Sequence, residues 1–332
     1  MPISRTRRTG AAVVAAIACV SVTACSGGGA DDGADYPTEN IEVIVPFSAG
    51  GPTDTVTRLV ADPMGAELGQ QMVVQNVEGA GGTIGAGEAS RARPDGYTLL
   101  LHHIGMSTAP ALYENLPYDP QADFAPVGLV AEVPMTIISR NDLGPTTMDE
   151  LATYIQQNQS TITYANAGVG SASQLCGLLL ERALGVDFQE VPYDGAGPAI
   201  ADVVGGQVDF MCDQTTNTSG QIRGGEVTAY AVTTPERLES LPDLQTTAEA
   251  GLPDLELSIW HGLYAPAETP EAVISKLEGA LQTALADEAV ANSFSDLGAT
   301  VPAAEDQTPE GLAARLAEQT ALWGEVISEP VG

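Results

Sequence analysis

Three glycine-bearing segments hold the residues of this chain best placed to do chemistry: Val45-Pro46-Phe47-Ser48-Ala49-Gly50-Gly51-Pro52-Thr53-Asp54, Tyr164-Ala165-Asn166-Ala167-Gly168-Val169-Gly170-Ser171 and Val191-Pro192-Tyr193-Asp194-Gly195-Ala196-Gly197-Pro198. Each follows a β-rich run and precedes a helical pattern. The first N–H groups of a helix have no intrahelical partner and carry partial positive charge, and glycine lets an anion reach them with no side chain in between. A carboxylate is the natural guest. In the first segment Gly50 and Gly51 are expected to supply N–H donors and Ser48 and Thr53 hydroxyls, while Asp54 caps the helix or orders a bridging water. Asp213, at the end of the apolar run 208–211, reads either as an acceptor for an amino, hydroxyl or pyridine-type group or as the cap of the next helix. His103, beside His102, reads as a donor to a carboxylate or as a satisfied structural histidine.

Motifs of other chemistries fail on particular residues. A nucleotide-binding loop needs a lysine after its last glycine, and the only lysine, Lys276, lies far downstream in a helical region. The stretch Gly79-Ala80-Gly81-Gly82-Thr83-Ile84-Gly85 approximates a dinucleotide fingerprint, but its third glycine comes one place late; behind the β-rich run 72–75 it is expected to form a fourth rim loop. There is no HExxH and no GxSxG. No cofactor and no metal site are expected, and Cys176 and Cys212 lack metal-ligand spacing.

The elements that must hold these loops alternate. Short apolar runs at 41–45, 97–101, 135–139, 161–165, 186–191, 208–211 and 228–232 are separated by helical patterns, which predicts an α/β fold with mainly parallel sheets. In a doubly wound sheet such loops lie beyond the carboxyl ends of the strands, where ligands bind. Pro63 is expected to kink or shorten the helix that begins near Pro52. Thr147 with Glu150 forms a capping box that opens a helix, and from Thr269 onward the pattern is helix after helix. Crossover strands are expected at 135–140 and 255–264.

The N-terminus reads as an export signal: Arg5, Arg7 and Arg8, then an uncharged run at 11–22, then small residues and a cysteine at Ala24-Cys25. The run is about 12 residues, short of the roughly 20 that cross a bilayer as a helix. Val22-Thr23-Ala24-Cys25 resembles a bacterial lipobox, with Cys25 as the acylated residue, and the Gly, Asp and Ser of 26–35 suit a flexible tether. The Arg7-Arg8 pair leaves the export route, general secretory or twin-arginine, open. Three of the 12 Lys and Arg precede Cys25 and all 44 Asp and Glu follow it, so the mature chain carries nine positive charges against 44 negative, a net −35. Nucleic acid is a poor partner for such a surface. Cys176 and Cys212 remain in an oxidising setting where leftover cysteines often pair. Pairing requires Cα atoms within about 7 Å, a distance the sequence does not contain.

Taken together, Pro46-Phe47-Ser48-Ala49-Gly50-Gly51, Gly79-Ala80-Gly81-Gly82, Pro94-Asp95-Gly96-Tyr97-Thr98-Leu99-Leu100, Leu116-Pro117-Tyr118-Asp119, Val191-Pro192-Tyr193, Gly205-Gly206-Gln207-Val208-Asp209 and Ala265-Pro266 make the chain resemble the substrate-binding proteins of tripartite tricarboxylate transporters, the Bug family. The resemblance spans 36–327. It implies a two-lobe type II periplasmic-binding-protein (Venus-flytrap) fold, each lobe a mainly parallel sheet flanked by helices. The expected organisation is 1–25 signal peptide, 26–36 tether, 37–139 plus 255–332 lobe 1, and 140–254 lobe 2. It also implies an exported, membrane-anchored monomer that delivers a dicarboxylate, tricarboxylate, acidic amino acid or aromatic carboxylate to a two-subunit, ion-gradient-driven permease.

By the same resemblance, the loop Ser48, Ala49, Gly50, Gly51, Thr53, Asp54 holds a ligand carboxylate, partly through water. Asn166, Gly168, Gly170, Ser171 and Asp213 close from the other lobe. Gln174 stands where many family members have histidine, so no ligand role is carried to it. The competing reading is an exported hydrolase or isomerase using His103, Asp213 and Ser171; a surface lipoprotein without a ligand is a third.

Overall fold

The computed structural model describes residues 35–328; the export signal, Cys25 and nearly all of the tether lie outside them. In chain order the elements are β1 (Ile41–Val45), α1 (Pro52–Leu68), β2 (Met72–Asn76), a 3₁₀ turn (Ala80–Gly82), α2 (Thr83–Ala89), β3 (Thr98–His103), α3 (Gly105–Leu112), β4 (Phe124–Arg140), α4 (Met148–Asn158), β5 (Thr163–Asn166), α5 (Ala172–Leu184), β6 (Gln189–Pro192), α6 (Ala196–Val204), β7 (Phe210–Gln214), α7 (Thr215–Gly224), β8 (Val227–Val232), β9 (Ser258–Pro266), α8 (Glu271–Leu285), α9 (Glu288–Asp296) and α10 (Pro309–Ser328).

The strands follow the order β2-β1-β3-β9-β4-β7-β5-β6, with β8 also paired to β4. The two flanks are parallel, β1 with β2 and β3, and β5 with β6 and β7. The centre is antiparallel, because β3 and β4 both pair antiparallel with β9, and β4 pairs antiparallel with β7 and β8. The mainly parallel expectation therefore holds for the flanks alone. Strand β4 is long enough to serve both lobes. Its Phe124 to Pro134 portion pairs with β9, and Met135 to Ser139 pair with β7. Residues 135–139, assigned from sequence to lobe 1, are thus bonded into the sheet of lobe 2.

Two apolar cores fill the fold, one within lobe 1 and one that runs from lobe 2 into lobe 1 through Ile44, Leu100, Ile104 and Tyr264. Lobe 1 packs Val43, Leu99 and Leu101 of the sheet against Val56 and Val60 of α1 and Leu277 and Leu281 of α8. Lobe 2 packs Ile137, Tyr164, Phe210 and Met211 against Leu151, Leu175, Leu180 and Val203. Cys176 on α5 and Cys212 on β7 form a disulfide, with Cα atoms 6.0 Å apart, inside that second core. Tyr36, placed in the tether by sequence, is buried in lobe 1 and donates its hydroxyl to the Gly96 carbonyl at 2.7 Å. Pro63 lies inside α1 without ending it. Thr147 caps α4 by accepting from the Glu150 N–H, while the Glu150 carboxylate turns to the N–H and hydroxyl of Thr146. Among the described residues no helix is long and apolar enough to cross a membrane.

Candidate functional site

Between the lobes lies a narrow cavity of about 20 Å³, room for roughly one water molecule, lined by Phe47, Ser48, Gly51, Pro52, Thr53 and His103 from lobe 1 and by Ala167, Ser171, Ala172, Ser173, Ala196, Asp213 and Gln214 from lobe 2. Four helices begin on its wall: α1 after Gly51, α5 after Ser171, α6 after Gly195 and α7 after Gln214. The local sequence makes each start. Pro52 occupies the first helical position of α1, where its missing N–H costs nothing. Ser171 caps α5, accepting from the Gln174 N–H at 3.2 Å. By helical geometry the N–H groups of Thr53, Ala172, Ser173 and Ala196 have no partner inside their own helices. Each helix end favours an anion by about 0.3–1 kcal/mol when exposed and up to ~2 kcal/mol when partly buried.

His103 adds a neutral donor. The Gly105 N–H donates to its Nδ1 at 2.9 Å, so the ring proton sits on Nε2. Burial, reinforced by the neighbouring His102 and His261, pushes His103 well below the usual histidine range. Its ring stacks on Phe47 with centroids 4.3 Å apart, which fixes its plane. Among the described residues no Lys or Arg lines the cavity.

The acceptors are Asp213 and Gln214. Asp213 is 1% exposed, and its Oδ2 accepts from the Asn217 amide at 2.6 Å. It therefore holds the Asn217 side chain of α7 and lines the cavity, but the cap of that helix is Gln214, without a side-chain bond, so Asp213 is not the cap that the sequence offered as one alternative. Burial pushes its pKa up to about 6 against the lowering effect of the bonds from Asn217 and the Gln214 N–H. Ser48 Oγ and Gln214 Oε1 are buried polar atoms with no hydrogen-bond partner among the described residues. Such atoms cost free energy unless a ligand or water meets them.

Of the twelve ligand residues expected from sequence, Ser48, Gly51, Thr53, His103, Ser171 and Asp213 come together on this wall. Ala49, Gly50 and Asp54 face a separate outer pocket with Arg58. The Gly50 N–H is taken by Asp54 Oδ2 at 2.9 Å, and the Gly51 N–H by the Ser48 carbonyl at 3.1 Å, so neither is the free donor expected. Burial alone would raise the Asp54 carboxyl, but bonds from Arg58, Gly50 and Asn76 outweigh it and hold the group below the usual carboxylate range. Asp54 is a brace of the loop. Asn166 turns its Oδ1 to the Gly168 N–H and its amide to Glu190, and the Gly170 N–H goes to Gln174 Oε1, so Asn166, Gly168 and Gly170 shape the loop without lining the cavity. Residues 79–82 are also absent from the wall.

Gln214, Ser173 and Ala196 were missed. Their only signal in the sequence is position, one or two residues into or before a helix that starts at a strand end. A larger groove, about 770 Å³, opens on the outer face of lobe 1, but residues 65–74, from the carboxyl end of α1 into β2, form much of it. A helix carboxyl end repels anions.

The sequence profile of the tripartite tricarboxylate transporter family receptor matches residues 56–330. The chain belongs to that family. Among solved structures, this receptor resembles the periplasmic binding protein BugD, with a TM-score of 0.86 and 49% identity over 88% of this chain and 97% of that one. MatC of Rhodopseudomonas palustris, solved with bound malate, gives 0.85 and 41% over 88% and 100%. A second R. palustris protein, solved with adipate, gives 0.85 and 30% over 90% and 99%. The receptor thus has the two-lobe α/β binding-protein fold, and its lobes touch closely. A Cβ built on Gly195 of lobe 2 would lie 2.1 Å from Ser48 Oγ of lobe 1.

Proposed function

We propose that this receptor captures a small organic carboxylate between its lobes outside the cytoplasm and delivers it to a two-subunit, ion-gradient-driven permease of the tripartite tricarboxylate type. Four helix N-termini and the neutral His103 N–H converging on one closed cavity support this reading, because together they reverse locally the field of a chain whose net charge, once the export signal is removed, is −35. At physiological ionic strength surface charges beyond roughly 8 Å are largely screened, so the cavity's own dipoles decide. The malate and adipate in the two R. palustris proteins make an aliphatic dicarboxylate the first class to test.

The ligand carboxylate meets the free N–H groups of Thr53, Ala172 and Ser173 together with His103 Nε2–H and the Ser48 hydroxyl. Asp213 and Gln214 Oε1 face its remaining polar groups. Closing adds the contacts of the second lobe, so the ligand stabilises the closed state by those contacts. The hydrolase alternative needs a working alignment of Ser171, His103 and Asp213. Ser171 Oγ is instead engaged as the α5 cap and with Ser173 Oγ at 3.2 Å, which favours capture over turnover.

Cys25 is the proposed lipid attachment, holding the receptor to the outer face of the cytoplasmic membrane. Calorimetry with malate, adipate, glutamate, citrate and benzoate is expected to give one-to-one binding of at least one of them with no product formed. Turnover of a bound carboxylate, or no binding anywhere in the panel, would overturn the proposal.

A further inference from the structure

Tyr113 follows α3 in lobe 1, outside the ligand cavity. Its hydroxyl lies 2.8 Å from the Ala80 carbonyl of its own lobe and 2.8 Å from the Val169 carbonyl of the other. A phenol has one proton to donate, so the two carbonyls share it. Ala80 keeps the hydroxyl aimed across the cleft when the lobes part, and Val169 offers it a second partner when they close. Val169 takes part through its backbone alone, since it is 47% exposed.

The glycine turn expected from sequence to form a fourth rim loop is what allows this approach. A Cβ on Gly81 would lie 1.8 Å from the Val169 carbonyl oxygen and 2.9 Å from Tyr113 Oη. Gly81 has φ 60° and its neighbour Ala80 has φ 46°, a backbone shape that turns the loop toward the opposite lobe. On the far side, a Cβ on Gly170 would meet Leu112 Cδ1 at 3.4 Å and Tyr113 Cε2 at 3.7 Å, so the second lobe passes close to the end of α3 there. None of Tyr113, Ala80, Gly81 and Val169 lines the ligand cavity.

We propose that Tyr113, with residues 79–82, is a latch between the lobes that sets how long the receptor holds any ligand, by stabilising the closed state without touching what is bound. It rests on the proposed closure around a carboxylate. Tyr113 is a positioning residue: it acts on closure, and closure acts on affinity.

The test pairs two variants with two probes, malate and adipate. Tyr113→Phe removes one hydroxyl. It is expected to raise the dissociation rate about three- to tenfold, the scale of one neutral hydrogen bond. The association rate and the ligand-free melting temperature should stay unchanged, and the factor should be the same for both probes. A residue that contacts ligand would change the malate-to-adipate ratio, so unequal factors, or an unchanged dissociation rate, overturn the latch. Gly81→Ala blocks the approach sterically and is expected to weaken both probes further and to enlarge the radius of gyration measured by small-angle scattering. If the wild type binds neither probe, the carboxylate-receptor proposal loses its first ligand class. The latch is then tested with whichever other carboxylate of the panel binds, where a dissociation rate unchanged by Tyr113→Phe overturns it.

Discussion

Gly195→Ala should abolish tight closure without disturbing either lobe. Gly195 has φ 168° and ψ 169°, extended backbone open to any residue, so the substitution carries no conformational strain. The new methyl would meet Ser48 Oγ at 2.1 Å and Ser48 Cβ at 2.7 Å, where ordinary contact begins near 3.4 Å. Rotating the Ser48 hydroxyl removes the first overlap. It leaves the second, because Cβ moves only with the backbone, so the loops must separate by about 1 Å. Overpacking of this size costs about 1–3 kcal/mol, and since the open form has no such contact the whole cost falls on closure.

The dissociation constant for a bound dicarboxylate should therefore rise about 5- to 150-fold. Calorimetry gives that number, and thermal unfolding of the ligand-free protein supplies the control. In a Ser48→Gly background Gly195→Ala should cost less than it does in the wild type, a non-additivity that marks a direct contact. Two results would refute the reasoning: affinity unchanged within twofold, or a fall in ligand-free stability as large as the fall in binding.

Two further perturbations separate charge from covalent support. Asp213, raised by burial to about 6, faces the anion, whose charge pushes it higher still, so binding takes up a proton. Relative to Asp213→Asn, wild-type affinity should fall as pH rises from 6 to 8, by at most about tenfold per unit; matching profiles in calorimetry would count against it. The raised carboxyl also means that folding stability contributed by its protonated form is lost between the unfolded carboxylate pKa and about 6, so Asp213→Asn should gain in relative melting temperature as pH climbs through that window. Replacing both Cys176 and Cys212 by Ser opens a link across 36 residues and should cost about 2–4 kcal/mol of stability, read by chemical denaturation. A midpoint equal to wild type would show that the link adds nothing.

Much of the site was legible because its chemistry is local. A strand end, a glycine loop and a helix start within ten residues of one another, so Gly51-Pro52, Ser171 and the segment around Gly195 could be read as helix N-termini from residue types alone. Ser48, Thr53, His103 and Asp213, singled out for their side-chain chemistry near such ends, lie on the cavity wall. Which N–H groups remain free was not legible, since that depends on competition. Asp54 reaches back four residues to take the Gly50 N–H, and the Ser48 carbonyl takes that of Gly51. The sequence shows a carboxylate near a glycine loop in either case, whether it braces the loop or orders a ligand.

By itself, then, the sequence determined the alternation of strands and helices, the strongly acidic surface, the helix ends suited to an anion and the two cysteines free to pair. Tertiary structure alone decided the antiparallel centre, where β4 serves both lobes, because strand pairing joins residues more than a hundred positions apart, such as Leu129 and Gly262. It decided the tautomer of His103, through the Gly105 N–H. It also set the rim loop 79–82 against the opposing lobe, since a glycine that permits close approach carries no information about what approaches.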